Sequence, residues 1–242
     1  MLKVELHAHT ADDPVDRIPH TAVQLIDRAA QLGYGALAIT LHERQLDVAP
    51  LAPYAAERGL TLIPGVERTI EGRHVLLLNF RRGAEDVNTF DDLARLRQRE
   101  AGLVVAPHPF FPLGSCLRGC MDRHATLFDA AEINAMFTDL VDFNRLAKRW
   151  ADRFGKPLVG NGDIHRLCQL GTTYSLVDAK PDPDSICAAI AAGRVRVESR
   201  PMPWTDIARV LGGLVVGDIA RWRGARGRQR VTSTTDVPAP PR

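Results

Sequence analysis

Several things are scarce in this chain, and each scarcity removes a class of function. Four cysteines (Cys116, Cys120, Cys168 and Cys187) in 242 residues are too few and too scattered for a disulfide scaffold. Cys116 and Cys120 lack the second pair that would complete a zinc site. No apolar run reaches about 18 residues, so no membrane-spanning helix is expected. The N-terminus lacks the charged region and apolar stretch of a secretory leader, which makes a cytoplasmic location the expectation. Charge of one sign is also missing. A net charge of +2 gives no basic surface for a polynucleotide and argues mildly against nucleic acid as a partner without excluding it. Neither Gly-x-Gly-x-x-Gly nor a phosphate-loop pattern occurs, so no nucleotide cofactor is implied.

What is present is an ordinary globular composition, 45% hydrophobic and 25% charged. The chain is long enough for one α/β barrel, a fold that commonly spans about 200–250 residues. Apolar strands alternate with amphipathic helices. The spacing predicts strands over 3–10, 36–42, 60–67, 74–80, 103–108, 130–135, 157–165 and 194–198. Helices are expected over 22–32, 50–58, 89–100, 141–154 and 184–192. Thr21 and Gln24 form a capping box before the first helix, whose Val23, Ile26 and Ala30 recur at helical spacing. This alternation implies a mainly parallel sheet or barrel. One domain is expected over 1–222, followed by a disordered basic and Pro-rich tail over 223–242.

The chemistry gathers at strand ends. His7 and His9 flank one small residue, so in a strand they project to the same face and can reach one ion. Glu67, His42, His108, Asp163 and His165 also stand where expected strands stop, and the C-terminal ends of parallel strands are where barrel enzymes build their sites. Neutral imidazoles mixed with carboxylates, without cysteine, suit Zn, Mn or Fe at a hydrolytic centre. The candidates exceed the needs of one ion, and a carboxylate can bridge two, so a multinuclear site is expected. Phe110, Phe111 and Pro112, just after His108, are candidate pocket walls.

Five short motifs in order resemble those of the polymerase and histidinol phosphatase (PHP) family of metal-dependent phosphoesterases. They are His7-Ala8-His9-Thr10, Thr40-Leu41-His42, Gly65-Val66-Glu67, Ala106-Pro107-His108-Pro109 and Asp163-Ile164-His165, and they span about residues 1–200. The resemblance implies an α/β fold, a distorted (β/α)7 barrel, with up to three metal ions at the C-terminal ends of the strands. It implies one ion on His7, His9, Glu67 and Asp163, and a second on Glu67, His74 and His108. A third would take His42, His165 and a group from the loop after the first strand, where Asp13 fits the spacing best and Asp12 and His20 are alternatives. Two departures stand out: Leu41 replaces the family's Asp, and Asp12-Asp13-Pro14 replaces its Ser-Asp-Gly turn. Leu41 is expected to face away from the site.

The expected activity is hydrolysis of a phosphate monoester on a small metabolite or nucleotide. A water between the ions joined by Glu67 would attack, and a held water or His165 would protonate the leaving group. Arg44, Arg73 and Arg166 adjoin the motifs and are candidates for substrate phosphate. Two other readings are a nuclease acting on polynucleotide ends and a non-catalytic metal-binding module.

Overall fold

The computed structural model describes residues 1–210 and residue 212; the boundary expected at 222 and the tail over 223–242 lie outside the described residues. The described strands are β1 (Leu2–Glu5), β2 (Ala36–His42), β3 (Thr61–Ile70), β4 (Arg73–Leu78), β5 (Leu103–Ala106), β6 (Ala130–Asn134), β7 (Leu158–Asn161), β8 (Thr173–Val177) and β9 (Val195–Ser199). The helices are α1 (Ala22–Gln31), α2 (Ala52–Ala56), α3 (Phe90–Arg99), α4 (Cys120–Arg123), α5 (Asn144–Phe154) and α6 (Pro183–Ala191). None of the described helices is long and apolar enough to cross a membrane.

The strands form one sheet in the order β7-β6-β5-β4-β3-β2-β1-β8-β9. This is a mixed α/β fold, and it departs from a regular (β/α)7 pattern in two places. β3 and β4 form an antiparallel hairpin with Ile70 opposite Arg73. Its two loop residues, Glu71 and Gly72, both have positive φ (49° and 76°), the backbone that twists a two-residue turn to match its strands. No helix separates them, so β4 runs against both β3 and β5. β8 was not anticipated, although Thr173-Tyr174-Ser175-Leu176-Val177 is rich in strand formers; it pairs antiparallel with β1 and β9.

The sheet curls until its two sides meet beyond β1 and β7. The Ile164 N–H donates to the His7 carbonyl and the His9 N–H to the Ile164 carbonyl, each at 3.1 Å, in a parallel bridge. Behind it β7 presses on β8, where the Gly160 N–H donates to Ser175 Oγ at 2.9 Å. A Cβ on Gly160 would come within 2.7 Å of the Tyr174 carbonyl, so this closure requires glycine.

Strand alternation sorts the side chains. Ala36 and Ala38, Ile63, Leu76 and Leu78, Leu103 and Val105 fill one buried cluster with Ile186 and Ala189 of α6. The opposite faces pack outward: Leu37, Ile39 and Leu41 against Leu25 and Ile26 of α1, and Val75, Leu77 and Val104 against Phe90 and Leu93 of α3. Leu41 is fully buried in that outer layer, away from the His42 side of its strand. On α1 the Thr21–Gln24 capping box forms, worth about 1 kcal/mol. The buried stripe, however, is Ala22, Leu25, Ile26 and Ala29, while Val23 is 39% exposed.

Candidate metal centre

Following the inner alternation to one end of the barrel leads from apolar to ionisable residues. Ala36 and Ala38 are continued by Thr40 and His42, Ile63 by Gly65 and Glu67, and Ala130 by Glu132 and Asn134. On β4 the order is inverted. Because that strand is antiparallel, His74 near its start lies at the same end as Glu67, opposite Thr69 in the register. Gly65 leaves room for this crowding, since a Cβ there would meet Leu78 at 2.7 Å and Thr40 at 2.9 Å.

Glu67, 1% exposed, stands at the centre and divides its two oxygens between two sets of imidazoles. Oε1 lies 2.8 Å from His74 Nδ1 and 3.2 Å from His108 Nε2. Oε2 lies 3.2 Å from His7 Nε2, 3.4 Å from His9 Nε2 and 3.3 Å from His42 Nε2. Asp163 Oδ1 approaches His7 Nε2 at 3.3 Å, His9 Nε2 at 3.5 Å and His165 Nδ1 at 3.3 Å. Two of these residues, His108 (φ 28°) and Asp163 (φ 50°), hold left-handed backbone that non-glycine residues adopt at a cost.

The far sides of the rings are held as well. His7 Nδ1 meets Glu132 Oε2 at 2.9 Å; His9 Nδ1 and His42 Nδ1 both meet Asp13 Oδ2, at 2.9 and 3.0 Å. Each contact leaves Nε2 free to turn inward, the arrangement in which a carboxylate behind a histidine fixes its tautomer and orientation. Asp13 thus sits behind two rings. The loop carboxylate beside His165 is Asp16, whose Oδ2 is 3.0 Å from His165 Nε2. His20 lies away from the cluster's centre, its Nε2 donating to the His9 carbonyl at 2.9 Å. The Asp12 carboxylate accepts from Thr10 Oγ1 at 3.1 Å.

Charge follows burial. Burial opposes a proton on His7, His9 and His108, but neighbouring groups raise all three well above the usual imidazole value: Asp163, Glu67 and Glu132 for His7, Asp13 and Asp163 for His9, Cys116 and Glu67 for His108. His165 is likewise pulled up to about 9, against its burial, by Asp163 and Asp16. Burial would push Glu67 and Asp163 up, yet the surrounding imidazoles hold both carboxyls well below the usual carboxylate range. Glu5 is the exception. Desolvation lifts it to about 8 despite bonds from the His7 and Gly162 N–H groups.

The residues fit divalent cations. His9 Nε2 and His74 Nδ1 are buried without a hydrogen-bond partner, each aimed at a Glu67 oxygen, and a cation there would satisfy all of them. Ligand atoms converge in overlapping triads that include His7–His9–Glu67, His7–His108–Asp163, His9–Asp163–His165 and His42–Glu67–His74. Glu132 and Asp16 were not among the residues expected. Glu132 had a legible signal, a carboxylate within an apolar strand; Asp16 is one acid among several in a polar loop. Two of the three arginines expected at substrate spend their donors on main chain. Arg44 Nη2 donates to the Asp12 carbonyl at 2.7 Å, and Arg73 Nη1 donates to the carbonyls of Gly114 and Cys116. The Arg166 N–H bonds Gln169 Oε1 at 2.8 Å. Phe111 stands edge-on to His108, ring centroids 6.4 Å apart.

A family model described as PHP-associated matches residues 141–195. No curated protein matches the chain. Among solved structures, it is similar to a two-domain protein from Bacteroides vulgatus containing a predicted PHP-like metal-dependent phosphoesterase, at 16% identity and TM-score 0.62 over 82% of this chain. The chain spans 65% of the length of that protein. It is similar to PsfC from Pseudomonas syringae, at 20% identity and TM-score 0.56 over 92% of this chain and 98% of the other. It also resembles the lesion-specific endonuclease EndoQ from Pyrococcus furiosus, at 14% identity and TM-score 0.52 over 81% of this chain and 57% of the other. Identities this low speak for the fold alone. The family-model match over residues 141–195 and the shared fold both agree with the PHP resemblance carried by the sequence motifs.

Proposed function

We propose that this chain is a metal-dependent phosphoesterase that hydrolyses a phosphate monoester of a small metabolite or nucleotide. The observation that carries the reading is Glu67: one buried carboxylate with Oε1 facing His74 and His108 and Oε2 facing His7, His9 and His42. That is the donor set for two cations sharing a bridging ligand. His7, His9, Glu67 and Asp163 would hold one ion, and Glu67, His74 and His108 a second. His42 and His165, with Asp16 as the loop carboxylate, would border a third, while Asp13 orients His9 and His42. Oxygen and imidazole donors without thiolate suit Zn, Mn or Fe.

Divalent ions at such a centre lower the pKa of bound water and neutralise ester oxygens. The chain's own residues supply the rest. Glu67 and Asp163 stay ionised in a dry site, so they keep the imidazoles convergent on one point. With only the first two ions bound, His165 would keep a proton between Asp163 and Asp16 and could give it from Nε2 to a leaving alkoxide. Arg166 is the arginine we assign to substrate phosphate.

A second reading, cleavage of a polynucleotide, draws on the fold shared with EndoQ. The net charge of +2 weighs against it.

The test is a panel of 4-nitrophenyl phosphate, sugar phosphates, nucleoside monophosphates, histidinol phosphate and single-stranded DNA, assayed with Mn²⁺ or Zn²⁺. Hydrolysis of monoesters, lost on chelation and lost in His9→Ala, is expected. Cleavage confined to DNA would favour the second reading. Two or three bound ions with no turnover across the panel would leave a metal-binding module.

A further inference from the structure

The histidines of the centre are not all held alike. His7, His9 and His42 each rest Nδ1 on a carboxylate, Glu132 or Asp13. His108 instead rests Nδ1 on sulfur. Cys116 Sγ lies 3.4 Å away, and Cys116 is fully buried. With Nε2 turned to Glu67 Oε1 and taken up by an ion, the ring would keep its proton on Nδ1 and donate it to Sγ, a weak acceptor. The same short loop also holds the other imidazole on that side of Glu67, because the His74 N–H donates to the Ser115 carbonyl at 2.8 Å. Arg73 clasps the loop through the Gly114 and Cys116 carbonyls.

We propose that the Gly114–Cys116 loop, clasped by Arg73, is the positioning element for one half of the metal centre, with Cys116 orienting His108 and Ser115 anchoring His74. This gives Arg73 a structural task in place of substrate binding and makes Cys116 a positioning residue. It rests on the metal reading above. Its consequence is an asymmetry. The ring of His108 is backed by sulfur, while the rings of His7 and His9 are backed by carboxylates; the Glu132 carboxylate reaches His108 only at its main-chain N–H. Carboxylate support raises the basicity of a ligating imidazole more than sulfur does, so the His74–His108 ion leaves first.

The experiment measures metal content per chain, by elemental analysis after equilibration against graded chelator, for wild type, Cys116→Ala, Cys116→Ser and Glu132→Gln. Thermal unfolding of the metal-free proteins checks that each folds. Wild type should lose its ions in two steps. Cys116→Ala should shift only the easier step, by about 10-fold or more. Cys116→Ser, whose hydroxyl also accepts from Nδ1, should restore much of that loss, which mere cavity formation would not allow. Glu132→Gln, which removes the carboxylate behind the His7 ring and also disturbs the His108 main chain, should shift both steps, the harder one more. Equal release curves for wild type and Cys116→Ala, or a Cys116→Ala effect that serine leaves unchanged, would overturn the proposal alone. A wild-type chain that binds no divalent ion would overturn the metal reading and this proposal with it.

Discussion

Replacing Glu132 by glutamine changes one atom, and the geometry says why that atom matters. The buried carboxylate accepts four hydrogen bonds. Oε2 takes His7 Nδ1 and Asn161 Nδ2, at 2.9 and 3.0 Å. Oε1 takes the His108 N–H and Asn134 Nδ2, at 3.2 and 2.7 Å. Glutamine offers one oxygen, so its amide NH2 must face one of these donor pairs. If it faces the second, the His108 main-chain N–H cannot adapt. Asn134 cannot flip without losing the Met136 N–H that its Oδ1 accepts. If the NH2 faces the first pair, Asn161 is pinned by the Leu6 N–H on its own Oδ1. His7 can then respond only by giving up its Nδ1 proton and keeping the one on Nε2, the atom that faces Glu67. Either choice strands buried donors at about 1–3 kcal/mol each, so the metal-free protein should lose about 2–4 kcal/mol. For a chain of this size that is a fall in Tm of about 5–15 °C. Disturbing the support of a ligating histidine should also weaken metal binding by about 10–100-fold, or about 1.4–2.7 kcal/mol. Differential scanning calorimetry with and without metal separates the two losses, and ¹⁵N chemical shifts of the His7 ring report its tautomer. A variant with unchanged Tm and metal affinity within two-fold of wild type would refute this account of Glu132.

Two pH dependences follow from the charges. Because carboxylates hold protons on His7 and His9, and Cys116 with Glu67 on His108, in the metal-free chain, ions must displace them, so apparent affinity should rise with pH and uptake should release at least one proton per chain. Calorimetry in two buffers of different ionisation enthalpy counts those protons, and buffer-independent heats would rule the prediction out. His20 works with the opposite sign. Burial depresses it to about 4, below the unfolded value of about 6.5, so the unfolded chain binds the extra proton. Its contribution is complete above about pH 6.5 and is lost as pH falls toward 4. Urea unfolding at pH 7.5 and pH 5 should therefore show a smaller acid loss in His20→Gln, whose amide can still donate to the His9 carbonyl, than in wild type.

The barrel's strands and most helices were legible because their periodicity is strong. Thr21 with Gln24, and the apolar runs 36–42 and 103–106, signal themselves locally. β8 was not recognised, because five residues of mixed polarity after a glycine carry little signal until β1 and β9 flank them. The motif histidines were readable as ligand candidates from type and position. Their supports were legible only in part. Asp13 was expected beside His42 as a ligand, not behind the rings of both His9 and His42, and Glu132 lies 125 residues from His7, yet each contact is about 3 Å. Spacing along a chain cannot report closure of a barrel. The arginines' partners were hidden for a related reason: adjacency to a motif in sequence does not tell whether a guanidinium points into the site or, as with Arg73, at the carbonyls of a neighbouring loop.

The reversed strand is what brings imidazoles to both oxygens of Glu67. In a run of parallel strands each β–α unit delivers its functional end after a long excursion, and neighbouring ends present their groups side by side. β3 has a parallel neighbour on one side and an antiparallel neighbour on the other. From β2 it receives His42, directly opposite Glu67 in register. From β4 it receives His74, only seven residues further along the chain, because a two-residue turn sends the chain straight back along the mouth of the barrel. One carboxylate therefore meets imidazoles arriving from both sides, one set on each oxygen. A helix between β3 and β4, as a regular (β/α)7 pattern requires, would carry the start of the next strand to the far end of the barrel and His74 with it. The irregularity of the fold and the central position of Glu67 among the imidazoles thus have one cause, the tight turn at Glu71 and Gly72.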